Sequence, residues 1–599
     1  MAIPNRNEVP KELTWDLTRI FKTDQEWEQA LQEVKAEVAA LPDLEANFTN
    51  SGTALYEGLT QILAVQRKLE KVYVYASMSS DVDTSDSHYL GYTAKAQGLA
   101  AQFEAASSFM NPKILSLSEA EIAAFKEAEP RLKEYAHLLD VITSKRPHTL
   151  SAEAEKLVAD AGDALSVSAN TFGVLTNSDM EYGYVQDEDG EMVQLSDGLY
   201  SILIQSQNRA VRKNAFDVMY AAYGQFGNSL ASTLSGTVKA HNYQARVHKY
   251  ASAREAALAA NGIPTVVYDT LIKEVNSHLD LLHRYVALRK KILGLKDLQM
   301  WDMYVPLTGE PALSYNFEEA KAEAKKALAP LGEDYLKHVD HIFNDRVIDV
   351  VENKNKRTGA YSGGSYDTDP YELLNWEDTL DSLYTLVHET GHSMHSWYTR
   401  HNQPYVYGDY PIFVAEIAST TNENILTEYF LNKVTDPKTR AFLLNHFLDS
   451  FKGTLFRQTQ FAEFEQFIHE ADANGEALTA QALDEFYGDL NQRYYGDSVE
   501  PGGDIAKEWS RIPHFYYDFY VYQYATGFAA ATALANKVVN GTPEDVEAYL
   551  TYLKSGSSDN AVEIMKRAGV DMTKPDYLED AFAIFEKRLN EFESLLGKF

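Results

Sequence analysis

Apolar residues recur at intervals of three and four along most of the chain, the spacing of one face of an α-helix. "DQEWEQALQEVKAEVAAL" (24–41) is a clear case, with Asp24 placed as its N-cap. The same pattern predicts helices within 53–110, 118–145, 150–170, 209–260, 264–293, 317–343, 440–470 and 478–496. Prolines such as Pro112, Pro264 and Pro501 stand at the edges of these segments and punctuate them. Two stretches break the pattern. "MEYGYVQDEDGEMVQL" (180–195) alternates on either side of "DEDGE" and predicts a β-hairpin. "TGAYSGGSYDTDPYELLNW" (358–376) reads as loop and short strand. The expected fold is mostly α with a small β-hairpin and short-strand element. A chain of 599 residues is too long for one simple core. A helical N-terminal region, 1–200, is expected to precede a larger part, 201–599, that carries the chemistry.

Composition narrows the function. Hydrophobic residues make up 45% and charged residues 24%, and the 38 Tyr and 27 Phe argue against disorder. The net charge of −34, with no run of Lys and Arg to reverse it, excludes nucleic acid as an expected partner. The absence of cysteine removes disulfides, thiolate nucleophiles and Cys-ligated metals together. The start, "MAIPNRNEVPKELTWDL", lacks a basic segment followed by an apolar one. No apolar run approaches the roughly 20 residues of a spanning helix. A cytoplasmic protein without membrane contact is the expectation.

The chemistry concentrates in "LYTLVHETGHSMHSWY" (383–398). Residues four apart on a helix project from one face, so His388 and His392 make a natural pair of metal ligands. Glu389 stands beside the first of them, placed to act as general base towards a water the metal activates. A chance match to this motif is expected only roughly 0.04 times in such a chain. A third ligand is then needed. Glu416 in "YPIFVAEIASTTNENILTEYF" (410–430) is favoured, with small residues after it that allow close packing. Glu423 is the competing candidate, or a group that supports a ligand. Asp381, two turns before His388, is either a partner for a ligand imidazole or an ordinary first-turn acid. His395 and His401 are read as packing or surface residues. Two histidines and a glutamate suit one Zn²⁺ per chain.

"PHFYYDFYVYQYATGFAAATALA" (513–535) is the densest aromatic run. At helical spacing His514, Tyr517, Tyr520 or Val521, and Tyr524 share a face, either as core or as donors lining a wet cavity. The glycine-rich 358–376 stretch offers a strand, "YELLNW", that could pair with an extended peptide.

"HETGHSMH", the glutamate of "FVAEIAST", and "HFYYDFYVYQYATG" together resemble the thimet-oligopeptidase-like zinc metallopeptidases, nearest their oligoendopeptidase F branch. "ELTWDLTRIF", "FGVLTNSDM" and "SYDTDPYELLNW" extend the likeness nearly end to end. The resemblance implies a multi-lobed helical ellipsoid enclosing a deep substrate channel, with short unfolded oligopeptides as substrates. It carries over His388, His392 and Glu416 as zinc ligands and Glu389 as base. His514 carries over with Tyr517 and Tyr524 as catalytic donors, while Tyr520 and Tyr522 stay open as alternatives. Gly363, Gly364 and Tyr366, with Tyr520, would hold the peptide. The expected activity is cleavage of internal peptide bonds. A metallo-carboxypeptidase or dipeptidyl carboxypeptidase is the alternative, for which Arg511 or Arg457 would grip the substrate's carboxylate. A binding or scaffolding protein with a vestigial motif is a further rival, disfavoured by the intact base and ligands. A monomer and a homodimer are equally compatible with the sequence.

Overall fold

The computed structural model describes residues 3–309 and 313–598, and among these helices dominate, with five short strands. In chain order, the elements used below begin with helices α1 (Asp24–Ala40), α2 (Gly52–Asp81) and α3 (Ser87–Ser107). Strands β1 (Tyr184–Gln186) and β2 (Met192–Gln194) and helix α4 (Gly227–Val247) follow. Next come β3 (Ile348–Asp349), β4 (Tyr361–Gly363) and β5 (Tyr371–Leu373). Four further helices complete the set: α5 (Leu380–Asn402), α6 (Ile412–Lys433), α7 (Arg457–Ala473) and α8 (Tyr522–Asn540).

The chain forms two compact units, each assembled from three segments. The first comprises 1–147, 313–428 and 534–569; the second comprises 148–312, 429–533 and 570–599. A single cut near residue 200 does not describe this interleaving, because segments distant in sequence share each core. No helix among the described residues is long and apolar enough to cross a membrane.

Helix α1 shows how the predicted pattern becomes packing. Its buried residues, Trp27, Leu31, Val34 and Val38, follow the three-and-four spacing. Trp27 stacks on Tyr92 of α3 at 3.9 Å and donates its indole N–H to the Val72 carbonyl of α2 at 2.8 Å. The N-cap is Thr23, whose hydroxyl accepts from the Glu26 amide, and Asp24 stands in the first turn instead. The helical pattern of 53–110 resolves into two helices, α2 and α3, with a break where Asp86 caps α3.

The hairpin is present, with Tyr184 opposite Gln194 and Gly190 at φ +85°, where the turn needs a residue free of a Cβ. The 358–376 stretch supplies two strands of a three-stranded sheet ordered β3-β5-β4. Here "YELLNW" differs from expectation. Its strand β5 is central, parallel to β3 and antiparallel to β4, so both its edges are already paired. The outer strands are β3 and β4, and of these Tyr361–Gly363 of β4 belongs to the glycine-rich stretch.

Helix α5 is buried nearly all round, from Leu380 to Thr399, and is capped by the Thr379 hydroxyl accepting from the Ser382 amide at 3.1 Å. It packs against α6 in antiparallel fashion. Tyr384 meets Thr427 through their hydroxyls at 3.0 Å, Asn422 donates to the Val387 carbonyl at 3.3 Å, and Gly391 faces Ser419. A Cβ on Gly391 would lie 2.6 Å from Ser419 Cα and 2.8 Å from the Ala418 carbonyl oxygen, both backbone atoms. Glycine is therefore required by the approach of the two helices. By contrast, Gly98 in α3 has open space around it.

These two glycines predict opposite outcomes. Gly391→Ala should lower the urea midpoint, by about 1–3 kcal/mol of overpacking. Gly98→Ala should raise it, by about 0.5–1 kcal/mol of helix propensity. Equal effects in a urea titration would show that helix contact does not govern position 391.

Candidate active site

The α5–α6 pair builds the site. His388 and His392 project one turn apart from α5, and Glu416 reaches them from the first turns of α6. Glu416 Oε2 lies 3.5 Å from His388 Nε2 and 3.3 Å from His392 Nε2. Ligand atoms of all three lie within 4.8 Å of one another. Metal–ligand bonds of about 2.0–2.1 Å in tetrahedral geometry separate neighbouring donors by about 3.4 Å. The three side chains thus already hold the spacing of a coordination shell.

Their supports are in place. The Ser419 hydroxyl donates to Glu416 Oε2 at 3.0 Å. Glu423, two turns along α6, is hydrogen-bonded to His388 Nδ1. That bond fixes the tautomer and leaves Nε2 free to coordinate. Glu423 thus touches His388 from behind and is not one of the three residues whose ligand atoms cluster. Asp381 does not share that contact: it is exposed in the first turn of α5, where the helix N-terminus favours an acid.

Electrostatics follow from these contacts. Burial pulls the His388 imidazole down, but the Glu423 carboxylate bonded to it, with Glu389 and Glu416 nearby, leaves it raised overall. Glu416 is held down at about 2, chiefly by its hydrogen bond to His392. Glu389 is 6% exposed, and burial pushes it above the usual carboxylate range despite both histidines. The Ser362 amide of β4 donates towards it. Three carboxylates thus surround two imidazoles in a half-buried pocket.

One residue escaped the sequence reading. Glu372 of β5 is fully buried, accepts from the Ser393 hydroxyl at 2.8 Å, and is pushed well up by burial, with Glu389 adding to the effect. Ser393 also meets Ser362 Oγ at 2.8 Å, so Glu372 and Ser393 together anchor β4 beside Glu389. A glutamate inside the apolar "YELL" was the available signal.

The peptide-holding residues lie close by in sequence but differ in role. Gly363 ends β4, and Gly364 has φ +144° with a Cβ position 2.6 Å from the Asp369 carbonyl oxygen. Tyr366 donates its hydroxyl to the Gln403 carbonyl at 2.6 Å and stacks under Arg67. Gly364 and Tyr366 line a cavity of about 510 Å³ together with Glu70, Arg400 and Asp409. His395 is buried against Tyr410 at 3.7 Å, and His401 bonds the Trp397 carbonyl, so both are packing residues.

In the second unit, "PHFYYDFYVYQYATG" is not one helix. Residues Pro513–Tyr516 form a 3₁₀ turn, Asp518 and Phe519 take φ +47° and +58°, and α8 starts only at Tyr522. The predicted common helix face therefore does not exist. The bend still gathers the aromatics: His514 lies 5.5 Å from Tyr517, 6.3 Å from Tyr520 and 5.9 Å from Tyr524, ring to ring. Burial and the Arg457 charge lower the His514 pKa. Tyr517 is 57% exposed. Arg457 donates to the buried Glu508 at 2.6 Å, and the Arg511 guanidinium lies over the Tyr200 ring at 5.2 Å.

Comparison with known proteins agrees with the geometry. The model of peptidase family M3 matches residues 202–584, and the Oligopeptidase F model matches 113–182. The chain is 51% identical over 594 residues to group B oligopeptidase PepB of Streptococcus agalactiae, covering 99% of each. It is 48% identical over 596 residues to oligopeptidase PepF of Bacillus subtilis, covering 100% of this chain and 89% of that one. The crystal structure of oligoendopeptidase-F from Enterococcus faecium matches 96% of this chain and 100% of its own, at 44% identity and a TM-score of 0.75. Matched end to end at this identity, the chain belongs to peptidase family M3 and is a peptidase.

Proposed function

We propose that the protein is a zinc metalloendopeptidase that cleaves internal bonds of short, unstructured oligopeptides in the cytoplasm. The observation that carries this reading is the convergence of His388, His392 and Glu416 at coordination spacing with Glu389 buried beside them. The donor set fits zinc: two imidazoles and a carboxylate, in a pocket whose surplus of carboxylates leaves a cation as the missing partner. A zinc ion held there would supply Lewis-acid polarisation of the scissile carbonyl and make a water more acidic.

The chain's own residues do the rest. Glu389 takes the proton of the attacking water and passes it to the leaving amine. Its burial raises its basicity towards the range in which a general base works best. Glu423 holds His388 in the coordinating tautomer. Glu372 and Ser393 hold β4, whose outer edge offers backbone groups to an extended peptide near Gly363 and Gly364. Pairing through the main chain would accept many side chains. His514, Tyr517 and Tyr524 are the donors proposed for the developing oxyanion, with Tyr520 for the substrate. This assignment rests on their likeness to the family and on their clustering around one imidazole. For the exopeptidase alternative, Arg457 is already paired with Glu508 at 2.6 Å, which leaves Arg511, over the Tyr200 ring, as its candidate cation.

Glu389→Gln should keep its metal and lose nearly all turnover; more than a tenth of wild-type activity would remove Glu389 as the base. Glu423→Gln should weaken zinc binding about 10–100-fold in a chelator competition while leaving the unfolding midpoint nearly unchanged. A nine-residue peptide, acetylated and amidated, tests the class of reaction by mass spectrometry. Internal cleavage by wild type and not by Glu389→Gln is expected. Cleavage confined to the twin with a free carboxylate would move the assignment to an exopeptidase.

A further inference from the structure

A second group of metal-binding side chains converges within the second unit: His241 on α4, His469 on α7, and Asp518 in the bend before α8. His241 Nδ1 lies 3.1 Å from His469 Nε2 and 3.4 Å from Asp518 Oδ1, and ligand atoms of all three lie within 4.8 Å of one another. The first two separations are those of donors around a tetrahedral ion, about 3.4 Å. They match the 3.3 and 3.5 Å found between Glu416 and its two histidines.

Ordinary packing accounts for this cluster poorly. His469 Nδ1 donates to the Glu465 carbonyl at 2.8 Å, so its Nε2 presents a lone pair to the cluster. His241 Nδ1 can carry one proton towards His469 or towards Asp518, and Asp518 Oδ1 is buried without a hydrogen bond. Asp472 offers no help, being an acid already bonded to Lys239 and Asn242.

The backbone also aims at this arrangement. Asp518 and Phe519 are consecutive non-glycine residues in the left-handed region, a conformation that L side chains avoid. The Phe519 amide is held by the buried Glu465 carboxylate at 2.6 Å, which keeps Asp518 turned towards the two rings. A cavity of about 380 Å³, lined by Asn242, Arg246, His469, Asp472 and Phe519, opens beside the cluster. It offers an entry path and room for water as a fourth ligand.

We propose that His241, His469 and Asp518 form a second divalent-metal site, best suited to zinc, that ties the segment carrying His514, Tyr517 and Tyr520 to helices α4 and α7. The site would be structural. Any influence on turnover rests on the function proposed for His514; metal binding at the site does not.

The test counts metal. Wild type, His388→Ala/His392→Ala, His241→Gln and Asp518→Ala are stripped with chelator, reloaded with zinc, gel-filtered and analysed by mass spectrometry for zinc per chain. Two equivalents are expected in wild type and one in each variant. One equivalent in wild type with none in His388→Ala/His392→Ala would overturn the second site, and so would two equivalents retained by Asp518→Ala. One in wild type, one in His388→Ala/His392→Ala and none in His241→Gln would instead support the second site and refute the first. If His241→Gln fails to fold, Asp518→Ala decides: zinc should raise the unfolding temperature of His388→Ala/His392→Ala and lose that effect once Asp518→Ala is added. An unchanged shift would overturn the proposal.

Discussion

The close approach of α5 and α6 at Gly391 is the contact on which the site depends. The helix backbones meet where Gly391 faces Ala418 and Ser419, with no room for a Cβ. His392, next to Gly391, and Glu416, just before Ala418 and Ser419, stand beside that contact and lie 3.3 Å apart. A bulkier residue at 391 would press the two backbones apart, and coordination tolerates shifts of only a few tenths of an ångström. The glycine inside "HETGH" therefore sets the spacing of these side chains although it carries none itself.

Around that contact the fold sets charge by burial. Glu389, Glu372, Glu416 and Glu423 lie within one helix pair and its neighbouring sheet, yet their environments separate them. Glu372, sealed beneath β4 and bonded by Ser393, is held towards its neutral form. Glu416, bonded to His392, stays ionised. Glu389 lies between these extremes, buried but facing two imidazoles. Burial and local partners thus spread the pKa values of Glu372, Glu389 and Glu416 apart, the condition under which neighbouring carboxyl groups can take different roles.

Much of this was legible in the chain. Periodicity of three and four predicted the helices because each buries one face against a core, as α1 does with Trp27, Leu31, Val34 and Val38. The HExxH spacing put two imidazoles on one helix face by geometry alone. Alternation around "DEDGE" located the hairpin. Boundaries were less legible. Thr23 rather than Asp24 caps α1, because either residue type can cap and only the local backbone chooses.

What the sequence determined by itself was therefore local: helix faces, a turn, and ligands one helical turn apart. Tertiary structure decided everything that joins distant segments. It brought Glu416 to both imidazoles and Glu423 to His388 Nδ1, a choice that spacing along α6 leaves open. It made β5 a central strand between β3 and β4, because pairing partners come from elsewhere in the chain. It bent the 513–521 segment out of helix, overriding an aromatic stripe at helical spacing, and so brought Asp518 to His241, 277 residues earlier in the chain. Periodicity reports which face of an element is buried. It carries no information about which other element covers that face, and chemistry between elements is settled only there.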